Sequence, residues 1–431
     1  VESTRADAPR PIARVRSIDV LRGLAITAMV LVNDAEKSAS APAWLRHVEP
    51  GVQGMTLADV VFPAFLFVVG LSAPLALTRA RQNGRSTAAI LRDVLTRTFG
   101  LLAMGVFMTG RADHVGWHPN LWTGLMYLAF FATWCVVPDA PTWRRRTFQT
   151  ARVLGALGLG ALAWSYRGPA GERLVLGPLL EPSSSEWLHH GSWEILGTIG
   201  WVYLATSLVF LLTGPSPRRL ALGVPFALGL YVLEQAGYLG ASAVRSDALA
   251  VLGPLGDAIL AVDAHVSFAH ALGPKLALAL AGASLGSRIV RGSDADVPRV
   301  AFIASVALAL AGLALQPLYG LNKHASTPSW ALYSGSLSAL TWAVVHLALA
   351  RGRAERLAAW IAPAGASPLT AYLLHPLVRG ALALVPGLGL LQAYKEPSAP
   401  AWVAVLGALA MTAFVVWATG RLARVGIRVE V

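Results

Sequence analysis

The sequence predicts an all-α, polytopic integral membrane protein, and three observations carry that prediction. Over 431 residues the composition is 55% hydrophobic and only 13% charged, with a mean hydropathy of +0.57. A soluble globule of this length needs more charge to cover its surface. The apolar residues fall into long runs, each near the roughly 20 residues that cross a bilayer as a helix. Arginine, finally, concentrates in alternate loops between those runs, the pattern of cytoplasmic loops.

In chain order the runs give about twelve spans, or ten if the fourth and fifth do not cross, at approximately 17–34, 56–78, 87–110, 120–137, 147–164, 193–213, 218–236, 268–289, 299–318, 329–350, 364–386 and 400–422. With the N-terminus inside, the inner loops collect Arg79, Arg81 and Arg85, then Arg144 to Arg146, Arg218 and Arg219, Arg288, Arg291 and Arg299, Arg351, Arg353 and Arg356, and Arg421, Arg424 and Arg428. The opposite orientation reverses that bias, so both termini are expected on the cytoplasmic side. Residues 1–16 then form a cytoplasmic segment with no cleavable-signal pattern, 17–422 a single transmembrane domain and 423–431 a cytoplasmic tail. The formal charge of +12 is thereby a topology signal, and nucleic acid is not an expected partner. Cys135 is the only cysteine and lies in an apolar run, which excludes an intramolecular disulfide and a cysteine metal cluster; no metal is expected.

The outer loops differ in kind. The first holds Asn33, Asp34 and His47, the second Asp113, His114 and His118, the third Glu181, Glu186, His189, His190, Trp193 and Glu194, and a later one Asn322, Lys323 and His324. Plain solvation accounts for any one of them. As a set, with Trp44, Trp117, Trp187, Trp193 and Trp330 interleaved, they suit a carbohydrate, whose rings stack on indole while polar groups take the hydroxyls. An interfacial tryptophan belt explains many of the same residues.

Ionisable residues inside spans are costly and hence functional candidates. Asp19 and Arg22, three apart, share one face of the first helix near its inner end; they either pair with each other or, with Arg22 and Arg97 offering guanidinium forks, meet an anionic ligand such as a nucleotide diphosphate. His375 precedes Pro376 within a span, where proline opens the local hydrogen-bond ladder; a buried, hydrogen-bonded histidine is the plainer account.

Several stretches together resemble a known family: R-S-I-D-V-L-R-G at 16–23, M-V-L-V-N at 29–33, R-H at 46–47 and G-M-T-L-A-D-V-V-F-P-A-F-L-F-V-V-G at 54–70. Further blocks follow in register at 97–105, 193–204, 322–333 and 369–375. The chain thus resembles the heparan-α-glucosaminide N-acetyltransferases, lysosomal enzymes with bacterial inner-membrane relatives, over most of its length. The resemblance implies a bacterial inner-membrane acetyltransferase domain that moves acetyl from cytoplasmic acetyl-CoA to the amine of glucosamine, or of a terminal glucosaminyl residue, presented from the far side. It matches the family's essential histidine to His47, its neighbouring asparagine to Asn33 and the acid of its T-x-A-D-L motif to Asp59. Arg22, Arg97 and Asp19 are expected at the acetyl-CoA end, and Asn322, Lys323, Trp330, His375, Trp193 and Glu194 on the acceptor side. The sequence departs from the lysosomal pattern in the longer spacing between His47 and Asp59, filled by E-P-G-V-Q-G, and in an added helix pair at the fourth and fifth spans.

The residue types suit the chemistry. A glucosamine amine is mostly protonated at neutral pH, and a neutral imidazole such as His47 is suited to take its proton. An amide donor such as Asn33 can stabilise the oxyanion of the tetrahedral intermediate. Asp59 either fixes the tautomer of His47 or caps the second helix. An acetyl-histidine intermediate is equally compatible. Membrane lipids and a small amino sugar are the expected partners, and a homodimer stays open. Two other classes also stay open: an O-acyltransferase of a cell-envelope glycan, and a proton-coupled sugar transporter, although the latter predicts similarity between the two halves that the sequence does not display.

Overall fold

A computed structural model of the chain describes residues 15–109, 116–167, 171–175, 193–239, 251–292, 296–385 and 387–431. Every expected span coincides with helix, and no strand runs through the described residues. The helices are α1 (Arg16–Ala35), α2 (Leu57–Gln82), α3 (Thr87–Thr109), α4 (Pro119–Thr133), α5 (Thr142–Ser165), α6 (Glu194–Thr213), α7 (Pro217–Gln235), α8 (Pro254–Val266), α9 (Phe268–Ala271), α10 (Gly273–Val290), α11 (Val297–Tyr319), α12 (Pro328–Ala350), α13 (Glu355–Ala366), α14 (Pro368–Leu384) and α15 (Ala401–Arg424).

Six helical stretches among the described residues are long and apolar enough to cross a membrane, or up to seven if the bent pair α13 and α14 counts as one span. The others fall short for identifiable reasons: α1 carries Asp19, Arg22 and Asp34, α3 carries Arg92, Asp93 and Arg97, and α4 is only 15 residues long. The 83° bend between α13 and α14 falls at Ser367–Pro368, where proline disfavours helix in the residue before it. On the periphery, α11 turns Phe302, Ile303, Leu310 and Leu313 outward, a face that suits lipid and not water.

The bundle is built around α2, which lies between α1, α6, α10 and α12. Its contact with α10 is made backbone to backbone. A Cβ placed on Gly282 would lie 2.2 Å from the Phe67 carbonyl oxygen, and one on Gly70 would lie 1.9 Å from that of Ala279. These glycines therefore serve close helix approach, the small-residue packing of membrane bundles, and do not hollow out a passage. The extended segment after α15 returns beneath α4: Val136 N donates to Arg428 O at 2.7 Å and Glu430 N to Trp134 O at 3.0 Å. Residues 429–431 end beside Arg22 and Arg97, so the start of α1 and the end of α15 lie at the same end of the bundle.

Gly282→Val is expected to lower the thermal stability of the detergent-purified protein by about 3 kcal/mol, the upper range for forcing bulk into a packed core. Gly160→Ala, on α5 with open space around the added carbon, is expected to match or exceed the parent. Thermal unfolding of the two variants side by side checks the packing account.

Candidate active site

The polar centre of the molecule forms where α2 begins. Asp59 lies in the first turn of α2, and its side chain is fully buried. Oδ2 accepts the N–H of Thr56 at 2.9 Å, satisfying an orphan donor of the helix start, and the N–H of Val48 at 3.3 Å. Oδ1 lies 2.8 Å from His47 Nδ1. One carboxylate thus caps the helix and also meets the imidazole, since it has lone pairs enough for both. With Nδ1–H donated to Asp59, Nε2 presents its lone pair. The His47 side chain is 18% exposed.

A second stretch of chain, residues 320–324, closes over this centre. Leu321 N donates to Gln53 Oε1, Gly54 N donates to Leu321 O at 2.8 Å, and Asn322 Nδ2 donates to Val52 O at 2.7 Å. The E-P-G-V-Q-G segment is therefore the ledge on which the 320–324 loop docks. That docking brings Lys323 Nζ within 2.9 Å of both nitrogens of His47 and His324 Nε2 within 3.0 Å of Val48 O. Glu36, at the end of α1, places Oε2 3.7 Å from His47 Nε2. Asn33 is half-buried in the last turn of α1, three residues before Glu36.

The remaining expected acceptor-side residues lie elsewhere. Trp330 is buried on α12 and donates its Nε1–H to the Asp59 carbonyl at 2.9 Å, so it supports the start of α2 and offers no ring face to a sugar. Trp193 is buried edge-on against Trp201, with ring centroids 5.4 Å apart. His375 is buried and pairs with Asp34, Nε2 to Oδ1 at 3.0 Å. The Glu194 side chain lies outside the description, as do Asp113, His114, Glu181, Glu186, Trp187, His189 and His190.

Asp34, read from sequence only as loop polarity, anchors a second cluster. Besides His375 it receives Tyr394 OH at 2.5 Å and Lys395 Nζ at 2.7 Å. Burial, and then the Asp34 carboxylate beside it, push the Tyr394 phenol up, so it acts as donor. No local spacing announces this cluster, since its members come from three separate stretches of chain.

At the opposite end of α1 and α2, Arg22 and Arg97 line one cavity of about 380 Å³. Arg22 is held by Asp19 Oδ1 at 3.3 Å and donates to Ser72 Oγ at 2.9 Å, so the expected Asp19–Arg22 pair forms without removing Arg22 from the cavity wall. Arg97 Nε donates to Val431 O at 2.8 Å. The walls turn apolar along Ile26, Met29, Phe65 and Val69. Met29 is one turn short of Asn33, and Phe65 is six residues, about 9 Å of helix, from Asp59. A neighbouring hollow of about 320 Å³ shares Arg22, Ser72 and Ala76 and adds Asp19 and Arg79.

A cationic, partly apolar cleft thus lies at one end of α1 and α2, and a carboxylate-backed histidine at the other. Residues 14–168 match a domain of unknown function, DUF5009. The chain is similar to heparan-alpha-glucosaminide N-acetyltransferase of Mus musculus, at 36% identity over 152 residues, and of Homo sapiens, at 35% over 96 residues. These stretches make up 32% and 22% of this chain and only 22% and 14% of the respective relatives. The resemblance read from the sequence motifs is thus matched by curated relatives, and the DUF5009 stretch carries Arg22, Asn33, His47, Asp59 and Arg97.

Asp59→Ala leaves two backbone donors and an imidazole without their acceptor and is expected to cost about 3 kcal/mol or more. Trp330→Phe, which removes one hydrogen bond to the Asp59 carbonyl, is expected to cost about 1 kcal/mol. Equal losses in thermal unfolding would contradict the central place given to the carboxylate.

Proposed function

We propose that the protein is a transmembrane acyltransferase that moves an acetyl group from acetyl-CoA to the amine of glucosamine or a terminal glucosaminyl residue. The observation that carries this reading is the placement of the Arg22–Arg97 cleft and the His47–Asp59 pair at opposite ends of the same two helices, with apolar cavity wall between them. The names of the relatives, which are N-acetyltransferases of heparan α-glucosaminide, support it.

In this reading the nucleotide phosphates meet Arg22 and Arg97, with Asp19 holding Arg22 in place. The donor's arm follows Ile26, Met29 and Phe65 and brings the thioester toward Asn33 and His47. His47 Nε2 accepts the amine proton while Asp59 holds the tautomer. The Asn33 amide donates to the oxyanion that forms as nitrogen attacks the carbonyl carbon. Ten to twelve crossings, with both termini on the cytoplasmic side of a bacterial inner membrane, place the donor inside and the acceptor outside. Residues 17–422 act as one domain, and the amino sugar and membrane lipids are its partners.

Purified protein incubated with labelled acetyl-CoA and glucosamine is expected to yield labelled N-acetylglucosamine. Uptake of glucosamine into vesicles without acetylation would defeat the proposal in favour of transport. His47→Ala and Asn33→Ala are expected to lose acetyl transfer by about a hundredfold or more while still binding acetyl-CoA. Arg22→Ala and Arg97→Ala are each expected to weaken acetyl-CoA binding about tenfold, as loss of a charge-assisted contact does; unchanged affinity in both would refute the phosphate role.

A further inference from the structure

The two arginines of the cleft are held in different ways. Arg22 donates from Nη1 to Asp19 and to Gly365 O and from Nη2 to Ser72, so both of its terminal nitrogens already meet protein acceptors. Arg97 is exposed on α3, where a long flexible stem has many rotamers open to it. Two groups remote in sequence restrict it. Its guanidinium carbon stands over the Tyr203 ring of α6, 5.5 Å from the centroid, and its Nε donates to Val431 O at 2.8 Å. Nε carries one of the five N–H donors, and the four on Nη1 and Nη2 meet no acceptor among the described residues.

Neither restraint is itself loose. α3 and α6 approach closely about one turn before Tyr203: a Cβ on Gly200 would lie 3.3 Å from the carbonyl oxygen of Thr98, the neighbour of Arg97. The segment that carries Val431 is bonded residue by residue, Val429 N to Thr370 Oγ1 at 2.9 Å and Glu430 N to Trp134 O at 3.0 Å, and Val429 is buried. Tyr203, Val429 and Val431 line the same cavity as Arg97.

We propose that Tyr203 and the 429–431 segment are positioning elements of the donor site, which hold Arg97 with its Nη1–Nη2 edge presented to the donor's phosphates. The inference rests on the acetyl-CoA reading above. A guanidinium held through Nε keeps a parallel pair of donors that matches two oxygens of a phosphate or diphosphate, and the aromatic face beneath it takes up no donor. Ordering the side chain in advance removes the entropy loss that an exposed arginine otherwise suffers on binding. Donor affinity then depends on groups that act through Arg97, one of them set by a hydrogen bond to α14 on the far side of the segment.

The test is acetyl-CoA titration of the detergent-purified full chain, with Tyr203→Leu and Thr370→Val each made in the parent and in Arg97→Ala. Removing the ring, or the oxygen that docks Val429, is expected to raise the acetyl-CoA Kd about threefold in the parent, the size of one exposed cation–π contact. In the Arg97→Ala background each is expected to change it by less than about 1.5-fold, because no guanidinium is left to position. Tyr203→Phe, which keeps the ring, is expected to recover most of the loss, and the glucosamine KM to stay within about twofold throughout. Gly100→Ala, whose added carbon would lie 2.8 Å from Val431 Cγ1, disturbs the same segment should Thr370→Val fail to fold. An unchanged or lower Kd in either single variant overturns that element's positioning role, as does an effect that persists in full without Arg97, which would mean direct contact with the donor. A parent that binds no acetyl-CoA overturns the donor reading and this role with it.

Discussion

The burial of the Asp59 carboxylate is the constraint from which the site follows. A charge without access to water needs hydrogen-bond partners for its lone pairs, and those available decide what the surrounding chain must do. Thr56 N and Val48 N serve one oxygen and His47 the other, so the start of α2 and the bend of the preceding loop are set by the same group. Its main-chain carbonyl takes the Trp330 indole N–H, which ties α12 to that point. The helix cap, the loop and the orientation of the imidazole therefore form one cooperative unit, in which removing any part leaves a buried group unpaired.

α2 then acts as a ruler. Asp59 and Ser72 are thirteen residues apart, about 20 Å of helix, and Ser72 receives Arg22. Close backbone packing at Gly70, Gly282 and Gly286 fixes α2 against α10, so the separation between the guanidinium cleft and the imidazole is a property of the bundle and not of flexible loops. The break at Ser367–Pro368 adds room beside this ruler, since Pro368, Leu369 and Tyr372 join the cavity wall.

What the sequence made legible follows from the range of the interactions involved. Hydrophobic runs reveal helices because burial in lipid is a one-dimensional demand on composition, and each expected span is indeed helical. The Asp19–Arg22 pair and the Thr56–Asp59 cap are legible because they lie within one helical turn. Lys323 reaches His47 because Leu321 and Asn322 dock on Gln53 and Val52, and such loop-to-loop contacts leave no periodicity to read. The pairing of Asp34 with His375 spans 341 positions and is silent for the same reason. Trp330 illustrates the converse: an indole near an interface reads equally as belt, sugar platform or core, and only its burial decides. Glu36 is not singled out by the sequence, because nothing local shows which way a helix end points.

The two carboxylate–histidine pairs at the far end of α1 look alike in composition, yet their surroundings assign them different work. Asp34 is surrounded by donors: His375, Tyr394 and Lys395 bond its oxygens, and the His375 side chain is 6% exposed. A histidine so enclosed has no open direction along which to receive a substrate. What that cluster does fix is the rotation of α1. Because Asp34 must point into its cage, Asn33, about 100° round the helix, must point elsewhere, and Glu36, at the end of the helix, reaches His47. The closed pair thereby bears on the open one: the enclosed carboxylate holds the end of α1 from which Glu36 reaches His47.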